Sequence, residues 1–243
     1  LAKLAVALDL PSRREAEKLM GQLEGLDVVY KIGLELFIGE GPQWVHSLVK
    51  GGKEIFLDLK LHDIPNTVCS AVSRVCDLGV SYLTVHLANG RVAFDQIGEL
   101  RQKKLGEGFP KILGVSVLTS FGSSTWGELT EALSGKMIEP SASVHGLVKT
   151  AATWPSHSID GVVSSALELE FVKKVNPNWI AVIPGIRPTG SPSNDQARVV
   201  TPAEALTHGA DLLVVGRPIS GASDPRRVVE SLIFEIDQSE GQL

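Results

Sequence analysis

The sequence predicts an α/β chain closed as a (β/α)8, or TIM, barrel, and three observations predict it. Eight short apolar runs recur along 243 residues: LAVALD, VVYKIG, EIFLDLK, YLTVHL, KILGVSVL, GVVSS, WIAVIPG and DLLVVG. Measured from Leu4, Val28, Ile55, Leu83, Ile112, Gly161, Ile180 and Leu212, the successive gaps are 24, 27, 28, 29, 49, 19 and 32 residues, most of them the length of a βα unit. The runs are also too apolar for strands with one wet face, and fit strands buried on both faces of a parallel sheet. A doubly wound open sheet is the rival. Against it, Asp9-Leu10-Pro11-Ser12 follows the first run where a glycine-rich dinucleotide turn would stand. With no low-complexity linker or internal repeat, residues 1–243 are expected to form one domain.

Taken in order, the first run ends in Asp9, and Ser12 can cap a helix over Arg13–Leu23, with Glu15 three residues on in a capping-box arrangement. The segment after VVYKIG closes at Gly51-Gly52, a helix C-cap before the third run. Glu35 in that segment is read as facing solvent or capping a helix. The third run leads into Ile64-Pro65-Asn66-Thr67, where proline suits the first turn of a helix, as Pro202 does later. Cys69 and Cys76 lie seven apart in that helix and so on one face, which is neither a metal-ligand spacing nor a disulfide framework; they read as buried thiols. The long gap after the fifth run is the anomaly. There SFGSSTWGELTEALSG reads as a loop plus a short extra helix, followed by an amphipathic helix around Ala142–Thr153. After the seventh run, the Pro/Gly-rich IPGIRPTGSPSNDQARV reads as a functional lid, with the helix resuming near Thr201. Trp44, Trp126, Trp154 and Trp179 are scattered and read as helix packing.

Composition narrows the function. Hydrophobic residues make up 43% and charged residues 21%, which suits a packed core rather than disorder. Every apolar run stops short of the roughly 18 to 20 residues a bilayer requires. Residues 1–25 lack a basic-then-apolar signal, so a soluble, cytoplasmic protein with no membrane partner is expected. A net charge of −5 argues against nucleic acid, and an anionic small substrate must be held by local positive groups.

In a barrel the active site lies at the C-terminal strand ends, and here those ends are charged. Asp9 ends the first, Lys31 lies on the second, and Asp58, Lys60 and Asp63 follow on the third. Asp58 and Lys60, two apart, point to the same side of a strand. Buried charges need alternating partners, and Lys31 and Lys60 with Asp58 and Asp63 supply two of each sign. The bland reading is a salt-bridge network closing the barrel top. Asp63 and Thr67, four apart at a helix start, could reach one ligand, or Asp63 or Asn66 could merely cap the helix. Gly216 and Arg217 follow the eighth run, where barrels bind phosphate through backbone N–H groups, and Arg217 would add a bidentate donor. Arg187 and Gln196 lie in the lid segment. His62 and His86 sit near strand ends and read as structural; the six histidines form no H-x-H or H-E-x-x-H pair, which disfavours metal dependence.

Asp58-Leu59-Lys60-Leu61-His62-Asp63 followed by IPNT resembles the D-x-K-x-x-D block of the orotidine 5′-phosphate decarboxylase family, in its bacterial branch. ALD around Asp9, YKIG around Lys31, Leu118-Thr119-Ser120, PGIRP from Pro184 and VVGRPI from Val214 match in the family's order over essentially the whole chain. The resemblance implies decarboxylation of orotidine 5′-monophosphate to uridine 5′-monophosphate, the last step of de novo pyrimidine synthesis, with no metal and no organic cofactor. It implies that Lys60 protonates C6, that Asp58 sits against the substrate carboxylate, and that Lys31 and Asp63 complete the charge array. Asp9 and Lys31 would hold ribose hydroxyls, and Thr119 and Ser120 would face the pyrimidine. Pro184, Arg187, Gln196, Gly216 and Arg217 would make phosphate and closing-loop contacts. It also implies a homodimer in which Asp63 and Thr67 reach the partner's site. Two other readings stand beside it: a metal-dependent sugar-phosphate decarboxylase or epimerase of the same barrel superfamily, and a non-catalytic barrel that binds a nucleotide phosphate.

Overall fold

The apolar runs conceal an inward and outward alternation that the computed structural model makes explicit; it describes residues 2–104, 108–187 and 200–240. The chain runs β1 (Lys3–Ala7), α1 (Arg13–Gln22), β2 (Val29–Gly33), α2 (Leu34–Lys50), β3 (Glu54–Leu61), α3 (Pro65–Cys76), β4 (Tyr82–His86) and α4 (Gly90–Lys103). It continues through β5 (Lys111–Val115), α5 (Ser123–Ser134), α6 (Pro140–Ala151), β6 (Gly161–Val163), α7 (Leu169–Val175) and β7 (Ile180–Ile183). Last come α8 (Pro202–Thr207), β8 (Leu212–Val215), α9 (Arg217–Ser220) and α10 (Pro225–Glu240). The strands pair in chain order, all parallel, and β8 returns to β1 with Lys3 opposite Leu212, so the sheet is a closed (β/α)8 barrel.

Two apolar clusters follow from the pleat. Outward residues such as Leu4, Val6, Ile55, Leu57, Leu83 and Val85 pack against the helices. Inward residues Ala5, Ala7, Val29, Phe56, Leu113, Val182, Leu212 and Val214 fill the barrel. Two small alanines on β1 leave room for Phe56, whose ring meets Tyr82 edge-on with centroids 5.9 Å apart. The same alternation carries Lys3 to the closed end, 2.7 Å from Glu54, and Lys31 and Asp58 to the open end.

Carboxylates placed just before strands hold that closed end together. Asp160 pairs with Arg101 and accepts the Ile112 amide at 2.8 Å, and Asp211 pairs with Lys173 and accepts the Ala181 amide at 2.7 Å. A carboxylate bonded to both an amide and a cation fixes the register of adjoining strands.

The helices follow the sequence with some differences. Ser12 caps α1 by accepting the Glu15 amide at 3.4 Å, whereas the reciprocal capping box forms at Thr201 and Glu204. Helix α2 is kinked at Gly41, with φ 76°, because Pro42 cannot continue the hydrogen-bond ladder. Gly51 is its C-cap, as expected. The 49-residue gap holds both α5 and α6. Cys69 and Cys76 are only half-buried, a correction that follows from their place on the flank of α3, whose buried stripe is Val68, Val72 and Val75. Burial still pushes both thiols up from 9.0. Trp44, Trp154 and Trp179 are buried, and Trp154 stacks on Phe94 at 4.6 Å, so the tryptophans pack helices. Among the described residues no helix is long and apolar enough to cross a membrane.

Candidate active site

The open end of the barrel holds a cavity of about 410 Å³, a size suited to a small ligand. Its floor is apolar, formed by inward residues of the last turn of the strands: Ala7, Phe56, Val115, Val163, Val182 and Val214. Its wall carries charge. Because Ala7 pairs with Lys31 and Gly33 with Asp58, the next inward residues on β1, β2 and β3 are neighbours. The result is a chain of alternating sign. Lys31 Nζ donates to Asp9 Oδ1 at 3.0 Å and lies 3.5 Å from Asp58 Oδ2. Lys60 Nζ donates to both Asp58 oxygens at 2.8 Å.

Burial pushes the Asp58 carboxyl up, but Lys31 and Lys60, with hydrogen bonds from Lys60 and Thr84, outweigh it and hold the carboxyl below 3.8. Burial likewise pushes Lys31 down, and Asp58 and Asp9 reverse that, raising it above 10.5. Both groups are therefore charged at neutral pH.

Lys60 is reached through a distortion. The β3–β4 ladder pairs Leu57 with Leu83 and next Leu61 with Val85, so Asp58, Leu59 and Lys60 stand opposite Thr84 alone. Among the described residues Lys60 is the one non-glycine residue with positive φ, 48°. A left-handed lysine costs roughly 1–2 kcal/mol, and such strain gathers at functional sites.

Past the ends of β7 and β8, the strands that lead round to β1, Arg187 and Arg217 line the same cavity. Arg187 is 7% exposed; its Nη1 donates to the Ile186 carbonyl at 2.9 Å, and its Nε has no partner among the described residues. Burial first, then repulsion from Arg217, lowers its pKa below the ordinary guanidinium value. Two cations in this position favour an anion between them. Thr119, Ser120, Pro184 and Gly216 also line the cavity. A Cβ on Gly216 would come 3.3 Å from that of Ala7, so glycine keeps the end of β8 close to β1.

The remaining expected residues stand elsewhere. Asp63 and Thr67 are exposed and do not line the cavity of their own chain. Asp63 Oδ1 accepts the Ile64 amide at 2.6 Å at the start of α3. Its own amide donates to Asn89 Oδ1, and Asn89 Nδ2 donates to the Leu61 and His86 carbonyls, so this asparagine pins the Asp63 loop. Gln196 lies outside the described residues.

The family model described as "Orotidine 5'-phosphate decarboxylase / HUMPS family" matches residues 2–232. The chain belongs to this family. It is 41% identical over 233 residues to the orotidine 5′-phosphate decarboxylase of Pseudomonas putida (strain W619), covering 96% of each chain. To that of Methylorubrum extorquens (strain PA1) it is 40% identical over 238 residues, covering 98% of this chain and 96% of the relative. The crystal structure of orotidine 5′-phosphate decarboxylase from Lactobacillus acidophilus superposes with a TM-score of 0.83 at 32% identity, over 97% of this chain and 99% of that one.

Within this orotidine 5′-phosphate decarboxylase fold, two polar residues escaped sequence reasoning. Thr84 and Asn89 make side-chain bonds to the third-strand motif from β4 and the loop after it. A lone Thr in YLTVHL carries no charge signal; the available clue was strand parity, which puts Thr84 on the same inward face as Tyr82. Among the described residues no group of three or more His, Cys, Asp and Glu side chains stands together as cation ligands.

Proposed function

We propose that this protein decarboxylates orotidine 5′-monophosphate to uridine 5′-monophosphate and CO2, the last step of de novo pyrimidine synthesis, without a metal or organic cofactor. The observation that carries the reading is the Lys60 ammonium held 2.8 Å from both oxygens of Asp58 in a cavity that also contains Arg187 and Arg217. The arginines take the 5′-phosphate, Asp9 and Lys31 take ribose hydroxyls, and Thr119 and Ser120 face the pyrimidine.

Breaking the C6–carboxylate bond leaves an electron pair on an sp2 carbon with no ring sink for it. A fixed ammonium in a cavity with an apolar floor stabilises that charge far more than water would. Lys60 is both the cation and the proton source: its N–H bond breaks as C6–H forms, CO2 departs, and solvent reprotonates the amine. Asp58 aims the ammonium and faces the departing carboxylate. Phosphate binding remote from C6 contributes by holding the ring against Lys60. The pairing of Asp9 and Asp58 with lysines favours this reading over a metal-dependent sugar-phosphate reaction, in which those carboxylates would be needed for the cation.

We further propose a homodimer in which Asp63 and Thr67 complete the partner's site. Support comes from apolar side chains left exposed near the starts of α2, α3 and α4 on the open side of the barrel: Leu34, Ile38, Ile64 and Val92 are 52%, 77%, 67% and 60% exposed.

Loss of orotidine absorbance in the presence of a chelator tests the reaction. The wild-type protein turns over undiminished, and Lys60→Ala loses at least about 10³-fold in kcat while still folding, as its circular dichroism shows. Chelator inhibition, or near-normal turnover of the variant, refutes the mechanism.

A further inference from the structure

The third-strand arch poses a structural problem. Three consecutive residues, Asp58 to Lys60, face a single residue of β4, so the regular ladder cannot serve the Lys60 amide. That amide donates to Thr84 Oγ1 at 2.9 Å, and the same hydroxyl donates to Asp58 Oδ1 at 2.9 Å. Its proton and a lone pair are both used on residues of the charge array. Thr84 is 1% exposed and does not line the cavity, so it does not touch a ligand and water has no ready access to replace it.

A merely structural threonine would need only to fill space in the barrel, and valine would serve. Here the two bonds have a directional consequence. One fixes the backbone of Lys60 at φ 48°, where lysine does not rest by itself; the other fixes the carboxylate against which its ammonium is aimed. Branching at Cβ restricts the Thr84 side chain in a strand, which holds the bridge in one geometry.

We propose that Thr84 is a positioning residue for decarboxylation, its hydroxyl clamping the Asp58–Lys60 arch so that the ammonium points at the reacting carbon. This rests on the function proposed above. Substrate still binds without the clamp, because the phosphate and ribose contacts lie elsewhere in the cavity. What is lost is alignment in the transition state, and that appears in kcat rather than KM.

Steady-state kinetics of Thr84→Val and Thr84→Ser, with uridine 5′-monophosphate affinity and thermal midpoints measured alongside, test the proposal. Thr84→Val is expected to lower kcat about ten- to a hundredfold, the loss of hydrogen bonds involving a charged group, with KM and product affinity within about threefold of wild type. Thr84→Ser keeps the hydroxyl and stays within about threefold in kcat. Should valine not fold, Thr84→Cys fills the same space with a much weaker bonding group and takes its place in that ordering. Wild-type kcat in the valine or cysteine variant, or equal losses in serine and valine, overturns the proposal. A crystal structure of the valine variant supplies a readout independent of turnover: Lys60 is expected to leave the left-handed region or its ammonium to leave Asp58. Retention of both also overturns the proposal. Failure of the wild-type enzyme to decarboxylate would strike the functional reading instead, and is seen before any variant is compared.

Discussion

The charged groups at the barrel mouth and the imidazole beside them titrate in different windows. Asp58 is held below 3.8, so its contribution to stability is present above that value and is lost as pH falls through the lower folded one. Lys31 is raised above 10.5, so its contribution is present below that value and disappears as pH rises through the higher folded one. Neither changes across the neutral range. His86 does. Burial pushes it below 6.5, as do His62, with ring centroids 5.4 Å away, and Lys60, while Asp58 pulls the other way. The unfolded chain then takes up this proton at a higher pH than the folded chain, and stability declines as pH falls from 6.5 toward the folded value. Thermal midpoints measured between pH 7 and 5 should fall, and His86→Gln should flatten the slope; an unchanged slope would assign the titration to another group. These residues also mark the limit of what the sequence makes legible. D-x-K spacing is visible because charge is rare in apolar runs, and strand parity puts Asp9, Lys31 and Asp58 together. The positive φ of Lys60 and the bridge from Thr84 are not visible, because both arise from a register shift between strands far apart in sequence. Charge pattern alone groups Asp63 with the array, whereas its spacing to Thr67 at a helix start separates it; in the fold it is exposed at the start of α3 and does not line the cavity of its own chain.

At the scale of elements, gap lengths predict the order of strands and helices because each βα unit needs a nearly constant length of chain. They do not show how closely adjoining strands approach. Gly161 opens β6, and a Cβ there would run into the backbone carbonyl of Ile180 on β7, an atom that the sheet holds in place. Gly161→Ala is therefore expected to destabilise by about 3 kcal/mol. Gly146 lies inside α6 with nothing within 4 Å of an added Cβ, so Gly146→Ala removes only the entropic cost of glycine in a helix and should stabilise by about 0.5–1 kcal/mol. Chemical denaturation of the two variants checks the pair of signs. A neutral Gly161→Ala would mean that β6 and β7 can separate without loss, contrary to their close pairing. Helix termini were legible for the same local reason: Pro65, Pro202 and the Gly51 cap act within a few residues of themselves.

For the molecule as a whole, an excess of five negative charges coexists with four cations gathered in one cavity because charge is placed by position. Acidic residues at the closed end are tied to Arg101 and Lys173, while Lys31, Lys60, Arg187 and Arg217 converge on the open end. Ile38, Ile64 and Val92, near the starts of α2, α3 and α4, are exposed to solvent, as are Asp63 and Thr67. A two-fold dimer through these residues would bury the apolar surface and bring each Asp63 to the other chain's cavity. Coexpression of Lys60→Ala and Asp63→Ala chains separates this arrangement from one confined to a single chain. If Asp63 acts across the interface, a mixed dimer contains one site with both residues native and one lacking both. Random pairing then restores about a quarter of wild-type activity, half the dimers being mixed and half their sites intact. If Asp63 serves its own chain, every site in the mixture lacks one of the two residues. Activity no greater than the average of the two parent variants would then reject the shared site.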